Sequence, residues 1–351
     1  MSVNMKRFLA LILAVVMLLP VFAGCANSGA NSGANGDTGE QTETEPALTE
    51  PPEEAKVLKV LTLGHSLALN TGHMLALVAD AQGFENLVVG TLYYSGCSLS
   101  RHLKFLGNDE PAYKLYLSST DTPNETPKIT KDVTMKDALT YDYWDIIVMQ
   151  GGVFEIAEST AYTNGNIQLI QAYVNLHKLN PLAKFAWHMP WATPTDNDLR
   201  DAFGRENNSY YKNYEQYNHN RLNFYNSMTK CVSDHIMTDE TFELLIPTGT
   251  AIECAVSSYL TEKDIFRDYA HAGDLGCVIG SYVWYCKLAG LDKLETVNLD
   301  SVPKQFLRTH STDQDWVLTD MEKTIILEAV NNTLAKPLEL TESQYKTAPA
   351  A

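Results

Sequence analysis

Leu58 to Met74 reads LKVLTLGHSLALNTGHM and sets a single serine, Ser66, between an apolar run and the start of a helical pattern. A serine hydroxyl is a weak nucleophile until a base takes its proton, and the base works best when a carboxylate orients it. The chain has nine histidines. One of them, His271, stands in RDYAHAGDLG with Asp268 three positions before it. On a helical turn that spacing puts both side chains on one face, so Asp268 can accept the Nδ1 proton and leave Nε2 facing a nucleophile. An Asp-x-x-His pair also arises as an ordinary surface pair or a helix cap, so its meaning depends on what surrounds it.

The surrounding elements alternate. VLKVLTL (57–63) is β-rich and apolar, as a strand covered on both faces would be. Asn70 is a candidate N-cap for a helix carrying Met74, Val78 and Ala81 on one face and closed by Gly83. NLVVGTLYY, WDIIVMQGG, AKFAWHMPWA and FELLIPTG supply four more strands, with helical patterns in IQLIQAYVNLHKL, in 213–235 and in DLGCVIGSYVWYCKLAG. Residues 107–133, with Pro111, Pro123 and Pro127, read as an irregular excursion, open to a role as a lid. Strands alternating with helices imply a largely parallel, five-stranded sheet with helices on both faces. Ligands collect outside the carboxyl ends of such strands, and Ser66 lies just past the end of the first.

Acyl transfer also needs donors aimed where negative charge develops. Ser66 opens a helix, so its own N–H is well placed. Gly96, after the second strand, offers a bare backbone N–H, and Gln150, ending the third, offers a side-chain amide. Each has a plain reading too, as a turn glycine and as a sheet-end hydrogen bonder. His65 is a rival base, discounted because neighbours at a strand end point to opposite sides. His188, with Trp187 and Trp191, falls at the same rim and offers a sugar-binding surface, although core packing is the ordinary fate of such tryptophans.

The order TLGHSL, YSGCSL, VMQGG and DYAHAGDLG resembles the block layout of the SGNH (GDSL-like) hydrolase superfamily over nearly the whole chain after residue 57. LYYSGCSLSRH, YWDIIVMQ and IPTGTAIECA are similar to a bacterial branch of it known only as a domain of unknown function. The resemblance implies a flavodoxin-like three-layer α/β/α fold, Ser66 as nucleophile, His271 as base, Asp268 as its orienting partner and Gly96 as an oxyanion donor. Two positions depart from the pattern. The aspartate usual before the serine is His65, and the asparagine of the third block is replaced by Gln150 in Gln150-Gly151-Gly152.

The chain begins with Lys6, Arg7, an apolar stretch to Ala23 and the ending AGC, which predicts a lipoprotein signal peptide over 1–25 with lipid on Cys25. Residues 26–55 lack aromatics and basic residues and predict a disordered acidic tether. The domain is expected over 56–340, with a polar tail at 341–351 to which no chemistry is assigned. Of the formal net charge of −17, residues 1–25 carry +2 and 26–55 carry −7, which leaves −12 for the domain. That balance argues against nucleic acid. Lipidation of Cys25 would leave five cysteines, an odd number that cannot all pair, and no Cys-x-x-Cys or histidine pair has zinc spacing. Cys277 and Cys286 fall in a helical pattern and are expected to be buried.

These readings converge on a serine esterase held by lipid at a bacterial cell envelope, outside the cytoplasm. It is expected to cleave small acyl esters, such as O-acetyl groups on carbohydrate, with no metal or cofactor. A glycan-binding lipoprotein whose hydrolase site has decayed at the third block, and an acyltransferase on the same fold, are the alternatives.

Overall fold

The chain divides into two units, Met1–Lys56 and Val57–Ala351. The structure, a computed structural model, describes residues 56–195, 214–300, 302 and 317–348. The predicted signal peptide, Cys25 and the tether lie outside the described residues.

Seven strands form one sheet in the order β4-β3-β2-β1-β5-β6-β7. They are β1 (Leu58–Gly64), β2 (Leu87–Tyr93), β3 (Tyr113–Ser119), β4 (Lys128–Val133), β5 (Ile146–Met149), β6 (Lys184–His188) and β7 (Phe242–Ile246). The five strands expected from sequence run parallel, in register from Val60 opposite Val89 to Met149 opposite Trp187. Two more come from the stretch expected to be irregular. β3 pairs antiparallel with β2, and β4 antiparallel with β3, so the sheet has seven strands, not five. The prolines that suggested irregularity fall outside both strands, at 111 before β3 and at 123 and 127 in the turn. β4 reads KITKDV with all but its last residue exposed, and its charged residues protect the sheet edge. The excursion is thus an edge hairpin.

Helices cover both faces. On one lie α1 (Ser66–Ala81), α7 (Thr248–Val256), α9 (Asp274–Leu288) and α10 (Asp320–Ala335), packed through Leu67, Met74, Val78, Ile279 and Ile326. Opposite are α2 (Leu99–Asn108), α3 (Met135–Leu139) and α5 (Asn166–His177). The remaining helices are α4 (Ser159–Thr163), α6 (Arg221–Cys231) with a π-helical turn at Val232–Ile236, and α8 (Glu262–Ile265). Residues 341–348, expected as a tail, are docked: Tyr259 N–H donates to the Tyr345 carbonyl at 2.8 Å, and Ser343 is 3% exposed.

The strand order has one consequence for the site. The chain leaves β1 for β2 on one side and returns to β5 on the other, so the loops after these strands part and leave a crevice at the carboxyl end of β1. Ser66 stands at that point.

Candidate active site

Gly64 ends β1, His65 is the N-cap and Ser66 is the first residue of α1. Asn70, the expected cap, lies inside the helix. Sequence rules look for Ser, Thr, Asp or Asn at a cap. Here the His65 ring does the work, its Nδ1 accepting from the Leu67 N–H at 3.4 Å. Its Nε2 is 3.0 Å from the Gly151 carbonyl, to which it donates. His65 is 0% exposed, and burial pushes its pKa down to about 4, so the ring is neutral with its proton on Nε2. Neither ring nitrogen is left to serve Ser66 as a base.

His271 Nε2 lies 2.8 Å from Ser66 Oγ, across 205 positions of sequence. Its Nδ1 is 2.9 Å from both Asp268 oxygens. The segment that presents them is not the helical turn expected. It is a bend closed by a bridge between Phe266 and Ala272, in which Asp268 Oδ1 accepts from the Ala270 N–H at 2.9 Å and the His271 N–H at 2.8 Å. Burial alone would raise the Asp268 pKa. The His271 hydrogen bond and charge, with the two backbone donors, outweigh it and hold the carboxyl below its ordinary value. Arg267 Nε stands 3.6 Å from Asp268 Oδ2. Asp268 is therefore an anion at neutral pH, fit to stabilise an imidazolium.

Tyr93 is in register with Gly64, and the Tyr94 N–H donates to the Gly64 carbonyl at 3.4 Å, so the turn that carries Gly96, closed by the Cys97 N–H on the Tyr94 carbonyl at 3.2 Å, starts beside the end of β1. Gly96 has φ 55°, the left-handed region that glycine occupies without cost. Among the described residues no hydrogen bond uses the backbone N–H of Ser66 or Gly96. Gln150 is 1% exposed; its Oε1 accepts from the His65 N–H at 3.4 Å, and its Nε2 has no partner among the described residues. Glu155 links the two loops, its Oε2 accepting from the Gly152 N–H at 2.9 Å and the Leu99 N–H at 2.8 Å.

His188 is not at the rim. It is 0% exposed, with Nε2 2.8 Å from Thr248 Oγ1 and its ring edge-on to Trp284, and burial pushes its pKa down to about 3. Trp187 is packed between Tyr162 and Phe242. Trp191 is buried and donates from Nε1 to the Ala270 carbonyl at 2.8 Å, holding the loop that carries His271. Both tryptophans are core, the ordinary fate that sequence allowed for them, and a supporting role for Trp191 left no trace in sequence because its partner lies 79 positions away. All five cysteines from Cys97 to Cys286 are buried free thiols. Among the described residues no cluster of three His, Cys, Asp or Glu side chains is placed to hold a metal.

Residues 59–303 match a family described as a domain of unknown function, DUF4886. The chain belongs to the DUF4886 family. Its fold is shared with a DUF4886 family protein from Bacteroides uniformis ATCC 8492, at 21% identity and a TM-score of 0.66, over 82% of this chain and 98% of that one. A proposed SGNH hydrolase from Slackia heliotrinireducens is similar at 16% identity and a TM-score of 0.40, over 66% of this chain and 100% of that one. An acetyl xylan esterase is similar at 12% identity and a TM-score of 0.32, over 65% and 98%. At those scores the last two say nothing of this chain's chemistry. No curated protein matches this DUF4886 member.

Proposed function

We propose that this DUF4886 protein is a serine ester hydrolase working through an acyl-enzyme. One observation carries the reading: Ser66 Oγ and His271 Nε2 are 2.8 Å apart while Asp268 holds Nδ1, the arrangement that makes a serine nucleophilic. Ser66 Oγ gives its proton to His271 Nε2 and adds to the ester carbonyl. The negative charge that develops on oxygen meets the uncommitted N–H groups of Ser66 and Gly96, with the Gln150 amide as third donor. Collapse expels the alkoxide, which takes the proton from Nε2. Water repeats the sequence on the acyl-serine and releases the acid.

The substrate in this reading is a small acyl ester, foremost an O-acetyl group on a carbohydrate, met outside the cytoplasm by a protein tethered through Cys25. The leader and tether composition support that location.

The reading is tested by labelling the purified protein with a fluorophosphonate, beside Ser66→Ala and His271→Ala. An adduct on Ser66 in the parent, lost in both variants, is expected. A folded parent that takes no label overturns the reading.

A further inference from the structure

We propose that His65 is a positioning residue, whose ring fastens the Ser66 turn to the Gln150–Gly152 loop so that the nucleophile and the Gln150 donor are held as one body. The inference rests on the hydrolase reading and assigns the residue beside the nucleophile a part in it.

Three bonds carry the argument. The ring accepts the Leu67 N–H on Nδ1 at 3.4 Å, which fixes the first turn of the helix that Ser66 opens. Through Nε2 it reaches the Gly151 carbonyl at 3.0 Å, across 86 positions of sequence. Its backbone N–H meets Gln150 Oε1 at 3.4 Å, so the amide's other end, Nε2, is the buried atom left without a partner among the described residues. A buried donor with no partner is costly, and the cost is recovered when an oxyanion reaches it. The ring is wholly buried, so its orientation is set by packing as well as by these bonds.

The chemistry asks for one side chain that accepts at one nitrogen and donates at the next. Imidazole with its proton on Nε2 does both. An ionised aspartate at 65 would cap Leu67 but would end at the Nδ1 position, with neither the reach nor a proton for the Gly151 carbonyl. The histidine is thus matched to Gly151 as much as to the helix.

The two functions separate by substitution. In His65→Asn the amide reaches the Nδ1 position and retains the cap; in His65→Gln it reaches the Nε2 position and retains the link to Gly151. His65→Phe keeps ring volume and loses both. We would measure, on the full chain well below its melting temperature, the rate of fluorophosphonate labelling at Ser66 and the kcat and KM for an aryl acetate. Expected is a fall in labelling rate and kcat on the order of 100-fold in His65→Phe, the cost of about 1 Å of misplacement, with KM little changed. His65→Asn and His65→Gln should each restore part of it. A folded His65→Phe that labels within about twofold of the parent overturns the inference and leaves the hydrolase reading standing. Should His65→Phe not fold, Asn and Gln variants that both match the parent overturn it equally. A parent that does not label removes the hydrolase reading first, and the role of His65 with it.

Discussion

Gly280 of α9 lies so close to Thr71 of α1 that a β-carbon at 280 would overlap the threonine methyl. Ser281 Oγ adds a hydrogen bond to the Thr71 carbonyl at 2.9 Å. α1 opens with Ser66 and α9 begins three residues after His271, so the approach of these helices sets the distance between nucleophile and base. Gly280→Ala should cost about 1–3 kcal/mol, the usual penalty for overpacking. It should also slow Ser66 labelling, because the strain is relieved by separating the two helices. Denaturant unfolding and labelling rate check the two effects; an alanine variant normal in both would contradict the account.

Asp268→Asn keeps the size of the side chain but presents an amide N–H where His271 Nδ1–H needs an acceptor. The ring then turns or adopts the other tautomer, and Nε2 no longer takes the serine proton. A fall in kcat on the order of 10³–10⁴-fold with stability nearly unchanged is expected. Steady-state kinetics at saturating ester would decide it.

Gln150→Ala removes the unpartnered Nε2 while Ser66 and His271 keep their contact. A loss of one oxyanion donor is worth about 10²–10³-fold in kcat. The variant should still bind substrate, so KM should stay near that of the parent. An unaltered kcat would return Gln150 to a purely structural part in holding the His65 N–H.

Three histidines are buried and kept neutral chiefly by desolvation, with pKa values pushed down to about 4 for His65 and about 3 for His102 and His188. Unfolded, each titrates near 6.5. Below that pH the unfolded chain binds protons the folded chain refuses, so their stability is complete above pH 6.5 and lost as pH falls toward 4 and 3. Glu253 works the other way, since burial, against the pull of Arg221, pushes its pKa up to about 7. It offsets about one histidine, leaving a loss of about 3 kcal/mol per pH unit near pH 5. Urea unfolding between pH 7.5 and 5 measures the slope, and His188→Gln should flatten it by about one group's worth.

The parallel strands were legible because they are rich in apolar residues and largely buried, most completely in the IIVM of β5. The hairpin was not. β4 buries only Val133, and an edge strand with nothing to bury carries no apolar signal. The docking of 341–348 escaped for a similar reason, since it is held by polar bonds such as Ser343 Oγ to Glu328 and by the single ring of Tyr345 against the core, too little to show as an apolar pattern.

At the site, the three-residue spacing named Asp268 as the partner of His271, though a bend and not the expected helical turn joins them, and the strand-end rule determined that Ser66 would face a crevice. These follow from chain geometry over a few residues, and a few residues are what a sequence displays. The sequence already favoured His271 over His65; tertiary structure alone decided what each ring holds. His65 is adjacent to Ser66 in the chain yet commits both ring nitrogens elsewhere, while His271, 205 positions away, supplies the contact. The bonds that settle this, from Trp191 to Ala270, from Glu155 to Leu99 and from His65 to Gly151, each join segments brought together only by packing around the sheet. Their partners share no local pattern, so sequence named the residues and their roles, and only packing decided what holds them in place.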